Sequence, residues 1–503
     1  MDNQTKTYEE LEIENTSLAA KNANLTEENA ELKQRIAVLE KAVFGPKSEK
    51  TKAEEITEQI QFDEAEENQS VNEREDEKQT IVTGYSRKKK RTRDEIFANL
   101  PVEEVVHSVE EKACPECGTE MRVIGKEYVR EELVYIPAKI FRRKHYAEVV
   151  KCPECGTNEA EDISSETSTK SIIVKAAVKA SVLPKSYSSP ELLSHILYEK
   201  YSKGVPLERQ AKDFKNLGAD ISTATLANWV IESSKLYLKP IYEYLHNELL
   251  KEEIIHADET VVQVLKEKDR KATTQSRMWV YCNDRIKLYE YKPTRSGQNA
   301  AEFLNGYKGY LVCDGYDGYN KLTDVRRCGC WAHARRKFLE AIPIDPETAK
   351  TSKAKEGYDR INEIFAIEGE MKKLSPDEKQ KQRLEQIKPV LDGFYSWLET
   401  LMISGNTKLA KAVQYALNEK KYLYEFLSNP NIPIDNNIAE RAVKPFVIGR
   451  KNWLFSTSVK GAQASAMAYS IINTADANGL NIREYLTSVF SHPGELILPF
   501  KYE

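Results

Sequence analysis

The sequence predicts a multidomain α+β protein. Three observations predict it: a leucine heptad near the start, a repeated C-x-x-C pair, and a central change from helical spacing to period-two alternation. A chain of 503 residues exceeds what one hydrophobic core serves, and divides into units of roughly 100–200 residues. Hydrophobic residues make up 40% of it, which is enough for globular cores. The net charge of −5 hides an asymmetry, because residues 51–80 hold eleven acids and three bases. No apolar run approaches the roughly 18 residues of a membrane span, so no membrane partner is expected. The start, MDNQTKTYEE, lacks the basic-then-apolar order of a signal peptide. Cysteine pairing without an export signal favours reduced thiols and metal over disulfides. The expected compartment is the cytoplasm.

Residues 1–45 predict a dimerising coiled coil. Leu11, Leu18, Leu25, Leu32 and Leu39 recur every seventh position. Tyr8, Asn15, Asn22, Asn29, Ile36 and Val43 then take the a positions, where buried asparagine fixes register and favours two strands at a cost in stability. A single amphipathic helix packed on another domain is the competing reading. Gly45-Pro46 ends the pattern. Residues 46–100 form an acidic linker without apolar periodicity, closing in the basic arm SRKKKRTR. That arm reads either as a solvated tail or as a segment that tracks phosphates.

CPECG occurs at Cys114 to Gly118 and again at Cys152 to Gly156. Each knuckle turns two thiolates toward one ion, so Cys114, Cys117, Cys152 and Cys155 predict a structural Zn²⁺ site in a ribbon over 101–165. A redox pair is the rival. The alternating stretch between the knuckles, including KIFRRKHY, predicts strands with a basic, aromatic face.

Over 185–250 the spacing turns helical. Ser189 is a candidate cap, Asn216-Leu217-Gly218 a break, and Ser222 or Thr223 the start of a helix ending near Ser233. Helix, glycine turn and capped helix outline a helix-turn-helix, which many non-binding hairpins share. EIIHADETVVQVL, MWVYCND, KLYEYKP and GYLVCDGY then predict four strands, with AAEFLNGY a helix before the last. Residues 339–427 are helical and highly charged, and a tail spans 481–503.

Three acids stand out. Asp258 lies in the apolar strand IIHADETVV, on one face with His256 and Thr260, while Glu259 faces the other way. A lone acid there is costly unless it is paired or bound to metal. Asp314 follows the apolar YLVC and is preferred to Asp317 in the same turn. Glu440 opens a helix in NNIAERAVKPFVIGRKNWLF, where it is the single acid among Arg441, Lys444, Arg450 and Lys451. Taken singly, each acid also reads as half of a salt bridge. Together, two strand acids and a helix acid make an oxygen-donor pocket suited to a pair of Mg²⁺ or Mn²⁺ ions acting on a phosphodiester. The bases would then hold the DNA backbone, with Trp453 and Phe455 able to stack on a splayed base.

HADET, LVCDGYDGYNKL, CWAHARRKF, NNIAERAVKPFVIGRKNWLF and NTADANGLNIREYL resemble the DDE transposase of the insertion sequence sixty-six family of bacteria. The resemblance covers nearly the whole chain. It implies an RNase H-like α/β catalytic core over 251–338 and 428–480, a helical insertion over 339–427, and Asp258, Asp314 and Glu440 as the catalytic triad. Cys330 and His333 resemble a C-x-x-H element of several transposase groups, with a structural role implied and a packed Trp331–His333 pair preferred over metal. The implied partners are double-stranded DNA (element ends and target), a homodimer or higher oligomer, and accessory proteins of the same element; the implied setting is the bacterial nucleoid. The expected function is Mg-dependent cleavage and strand transfer at terminal inverted repeats. A non-catalytic DNA-binding regulator and an RNase H-like nuclease without strand transfer are the alternatives.

Overall fold

The structure, a computed structural model, describes residues 139–151, 173–177, 180–401 and 405–500. The expected coiled coil, the acidic linker with its basic arm, and Cys114, Cys117, Cys152 and Cys155 lie outside the described residues. Of the expected ribbon, β1 (Val149–Lys151) pairs antiparallel with β2 (Ile173–Lys175). The KIFRRKHY stretch is not a strand. Its Phe141 and Tyr146 stand 73% and 83% exposed. Alternation alone does not make a strand where no neighbouring backbone accepts the ladder.

Local capping sets the helices that follow. Ser189 accepts a hydrogen bond from the Leu192 amide and starts α1 (Pro190–Tyr201). α2 (Leu207–Asn216) ends before Gly218, whose φ of +89° suits a residue without Cβ. Ser222 caps α3 (Thr223–Ser233), which runs through a wider turn at Ser234–Leu238 into α4 (Lys239–Leu249). These helices do not stand apart from the sheet. Leu193, Leu197, Leu226, Ile241 and Leu245 share one core with its strands. The segment expected as a tail carries α15 (Ile482–Ser491), with Tyr485, Leu486, Val489 and Phe490 buried. Leucine and aromatic spacing makes it a packed helix.

The central sheet consists of β3 (Ile254–Lys266), β4 (Gln275–Cys282), β5 (Lys287–Lys292), β6 (Tyr310–Cys313) and β7 (Arg326–Gly329). Its order is β5-β4-β3-β6-β7. β3, β4 and β5 are antiparallel neighbours, while β3, β6 and β7 run parallel. A short β8 (Ser456–Ser458) pairs with the far end of β3. Crossover α5 (Gly297–Phe303) covers one face, where Phe303 stacks on Tyr281 at 3.8 Å. The other face carries α13 (Asn437–Trp453) and α14 (Val459–Ala477). Tyr289 of β5 donates its hydroxyl to the Ala442 carbonyl there. The open edge of β5 is closed by α14, because Ser470 and Thr474 accept from the backbone amides of Tyr289 and Lys287.

A second core lies between β7 and α13. It is built by α6 (Trp331–Glu340), α8 (Lys353–Glu370), α10 (Lys388–Thr400), α11 (Lys408–Asn418) and α12 (Lys420–Leu423), while α7 (Pro346–Thr351) and α9 (Pro376–Gln382) bury no side chain. Arg383 is fully buried and pairs with Glu368 through two contacts of 2.5 and 2.9 Å. Its remaining N–H groups donate to the carbonyls of Phe426, Asn429 and Ile432. This cation fixes the turn-rich segment that leads into α13.

Candidate active site

Register brings the two strand acids together. His256 pairs with Val312 across the parallel β3–β6 ladder. Two residues further along, Asp258 and Asp314, the latter just past the end of β6, lie close enough for their charges to interact. Burial, then the charges of Glu259, Asp314 and Glu440, push the Asp258 carboxyl well above the usual carboxylate range. The Glu259 amide donates to Asp258 Oδ1 at 2.7 Å, which fixes that side chain's aim. Asp314 is partly open, at 24%. Its Oδ1 accepts the Tyr316 amide at 3.0 Å, whereas Asp317 is exposed at the start of the following turn.

Glu440, in the first turn of α13, comes near enough for its charge to act on Asp258. Asn436, completely buried, controls this approach. Its Nδ2 donates to the Ala257 carbonyl at 2.9 Å, and its Oδ1 accepts from His256 Nδ1 at 2.9 Å. The amide oxygen has no proton to give, so Nδ1 of His256 carries the hydrogen. Burial lowers the His256 pKa to about 4, leaving the ring neutral. One side chain thus clamps the start of α13 to the strand position immediately before Asp258. Arg450, at the other end of α13, donates to Thr260 Oγ1 at 3.0 Å and to the Val261 carbonyl. The helix is therefore tied to β3 at both ends.

Cations frame the acids. Glu259 is on the opposite face, 3% exposed, and pairs with Arg295. Arg295 also approaches Asp314 at 3.9 Å and lies 4.1 Å above the Tyr316 ring. Arg336 of α6 contacts Glu440 Oε2 at 3.3 Å, and His333 Nδ1 lies 3.6 Å from Glu440 Oε1. Trp331 is core and donates to the Leu423 carbonyl, but His333 is 24% exposed beside Glu440, so the two do not form one packed pair. Arg327 is buried, donating to the Asp314 carbonyl at 2.9 Å and to Glu419 at 2.5 Å. Gly315 leaves no room for a side chain, since a Cβ there would meet the Tyr415 ring at 2.4 Å. The helical region thereby holds the loop that carries Asp314.

The basic residues of α13 divide by exposure. Arg441 and Lys451 are exposed and Lys444 is half-buried. Arg450 is occupied by β3. Trp453 packs edge-on against Phe446 at 5.4 Å, with the Lys200 ammonium 5.4 Å from its ring. Phe455 remains 41% exposed. Asn436, Arg327, Arg295 and Arg336 escape a sequence reading because each acts through partners far away in the chain. The only local signal is Asn436-Asn437 ahead of the helix, which reads as an ordinary cap.

The comparisons bear on what this arrangement serves. Residues 185–464 match the model of the family described as Transposase IS66 family. Residues 111–156 match the zinc-finger binding domain of transposase IS66, and 31–105 a model described as Transposase C of IS166 homeodomain. The class is that of transposases, enzymes that process DNA, with a zinc-finger domain and a leucine-zipper-like segment. The chain belongs to the transposase IS66 family. It is similar to three uncharacterized proteins of Sinorhizobium fredii (strain NBRC 101917 / NGR234). It is 30% identical to y4hP over 334 residues, spanning 61% of this chain and 60% of y4hP. It is 26% identical to y4qI over 482 residues, spanning 91% and 84%, and 28% identical to y4jD over 411 residues, spanning 78% and 76%. Among the described residues no helix is long and apolar enough to cross a membrane.

Proposed function

We propose that the chain cleaves the terminal inverted repeats of its own element and joins them to target DNA, using Asp258, Asp314 and Glu440. One observation carries the reading: Asp258 follows the paired part of β3, Asp314 follows its parallel neighbour β6, and Asn436 clamps the helix of Glu440 to β3, an arrangement that supports a shared site. The strand order, three antiparallel strands continued by two parallel ones, supports an RNase H-like core. The donors fit Mg²⁺ or Mn²⁺, because all are carboxylate oxygens and their mutual repulsion is relieved by a cation. When bound, a pair of such ions supplies activation of the attacking oxygen and stabilisation of the leaving one. Asp258, Asp314 and Glu440 hold the ions. Arg441, Lys444 and Lys451 hold the DNA backbone beside them, and Arg450 keeps α13 seated on β3. No side chain need form a covalent bond to DNA. The zipper brings two protomers, and hence two element ends, to one reaction, and the zinc ribbon and basic arm add contacts to DNA.

Labelled element ends, Mg²⁺ and a target plasmid test this directly. Joined product is expected. Binding without cleavage would instead make the chain a regulator, and nicking without joining would make it a nuclease.

A further inference from the structure

We propose a second cation site, for a zinc-class ion, formed by Cys330, His333 and Glu440. One ligand atom from each lies within 4.8 Å of the others. Around a tetrahedral ion with bonds of about 2.0–2.3 Å, neighbouring ligand atoms are about 3.3–3.6 Å apart. His333 Nδ1 and Glu440 Oε1 already have that spacing, at 3.6 Å. The sulfur-nitrogen-oxygen donor set suits zinc and is poor for magnesium.

Two features of the surroundings of Cys330 suit a metal-bound sulfur. It is fully buried at the N-terminal end of the ten-residue α6, where the helix dipole favours negative charge. Its Sγ accepts the Asn436 amide at 3.2 Å. Such backbone donors orient and stabilise a metal-bound sulfur. Arg336 engages Glu440 Oε2 and leaves Oε1 toward the Cys330–His333 side. Cys328 takes no part; it lies buried on β7.

The inference rests on the reading of Glu440 as a magnesium ligand, and it gives that residue two competing uses. Zinc held by Cys330 and His333 draws Glu440 Oε1 away from Asp258 and Asp314, so zinc weakens magnesium binding at the triad. The helix α6 cluster is then a brake on the enzyme.

The test uses the full chain with its ribbon zinc in place. Elemental analysis after zinc loading and dialysis should find one ion more per chain in the wild type than in Cys330→Ser or His333→Ala. His333 is partly exposed, so its variant guards against a folding failure at the buried cysteine. Cobalt loading should add a thiolate charge-transfer band that Cys330→Ser lacks. Mn²⁺ affinity, read by electron paramagnetic resonance, should fall about tenfold on zinc addition in the wild type alone. Equal ion counts in all three proteins would overturn the site. An extra ion without any change in Mn²⁺ affinity would overturn the brake. Neither readout requires cleavage, so a failure here is separable from a failure of the transposition reading.

Discussion

Replacing Asp258 by asparagine removes the titratable carboxyl while keeping the side chain's shape and its acceptor for the Glu259 amide. For neighbouring carboxylates about 5 Å apart, an effective dielectric constant of about 20 gives a repulsion on the order of 3 kcal/mol. The sign of the pH dependence follows from the raised Asp258 pKa. In acid, folded and unfolded chains are both protonated and no penalty exists. As pH rises above the ordinary Asp range, the unfolded chain ionises first, and the folded state loses stability. Without added divalent ions, Asp258→Asn should therefore be more stable than wild type at neutral pH, by on the order of 3 kcal/mol. The advantage should vanish in acid. Glu290, which burial raises to about 7, contributes the same sign in both proteins and cancels in the difference. Mg²⁺ should stabilise the wild type and leave the variant unchanged, and cleavage of element ends should be lost while binding persists. Chemical denaturation at two pH values, with and without Mg²⁺, measures all of this. A variant no more stable than wild type at neutral pH would refute the clustering of like charges.

Asn436→Ala strips partners from a buried His256 ring and the Ala257 carbonyl. It should cost about 2–5 kcal/mol in denaturation and lower cleavage more than DNA binding; stability equal to wild type would remove Asn436 as a clamp. Arg383→Ala leaves Glu368 with Lys379 at 2.9 Å and removes the Arg383 donor from the carbonyls of Phe426, Asn429 and Ile432. A loss of about 3–5 kcal/mol is expected, with protease nicking first among α8 to α10; unaltered protection there would contradict this. Cys114→Ser should release one zinc per chain in elemental analysis and weaken binding to element ends, whereas unchanged zinc would count against the ribbon.

Much of the fold is legible because its signals are local. Ser189 and Ser222 announce helix starts through their own hydroxyls, and the apolar run around Asp258 makes that acid conspicuous before any neighbour is known. What stays hidden is long-range. β7 is four residues containing two arginines, and it becomes a strand only because β6 offers its edge. Arg327 and Arg383 carry no local sign of burial, yet both are buried, with partners that include Glu419 and the Phe426 carbonyl, 92 and 43 residues away. Arg450 belongs to a basic run but is drawn inward by Thr260. Conversely, Phe141 and Tyr146 alternate like strand residues and remain exposed and irregular.

The claim on which the rest depends is that acids from β3, β6 and α13 grip divalent ions together. Anomalous diffraction from crystals soaked in Mn²⁺ measures this most directly. Peaks bounded by the carboxylates of Asp258, Asp314 and Glu440, absent in Asp258→Asn crystals, are the predicted result. Manganese held elsewhere, with the three carboxylates bare, would contradict it.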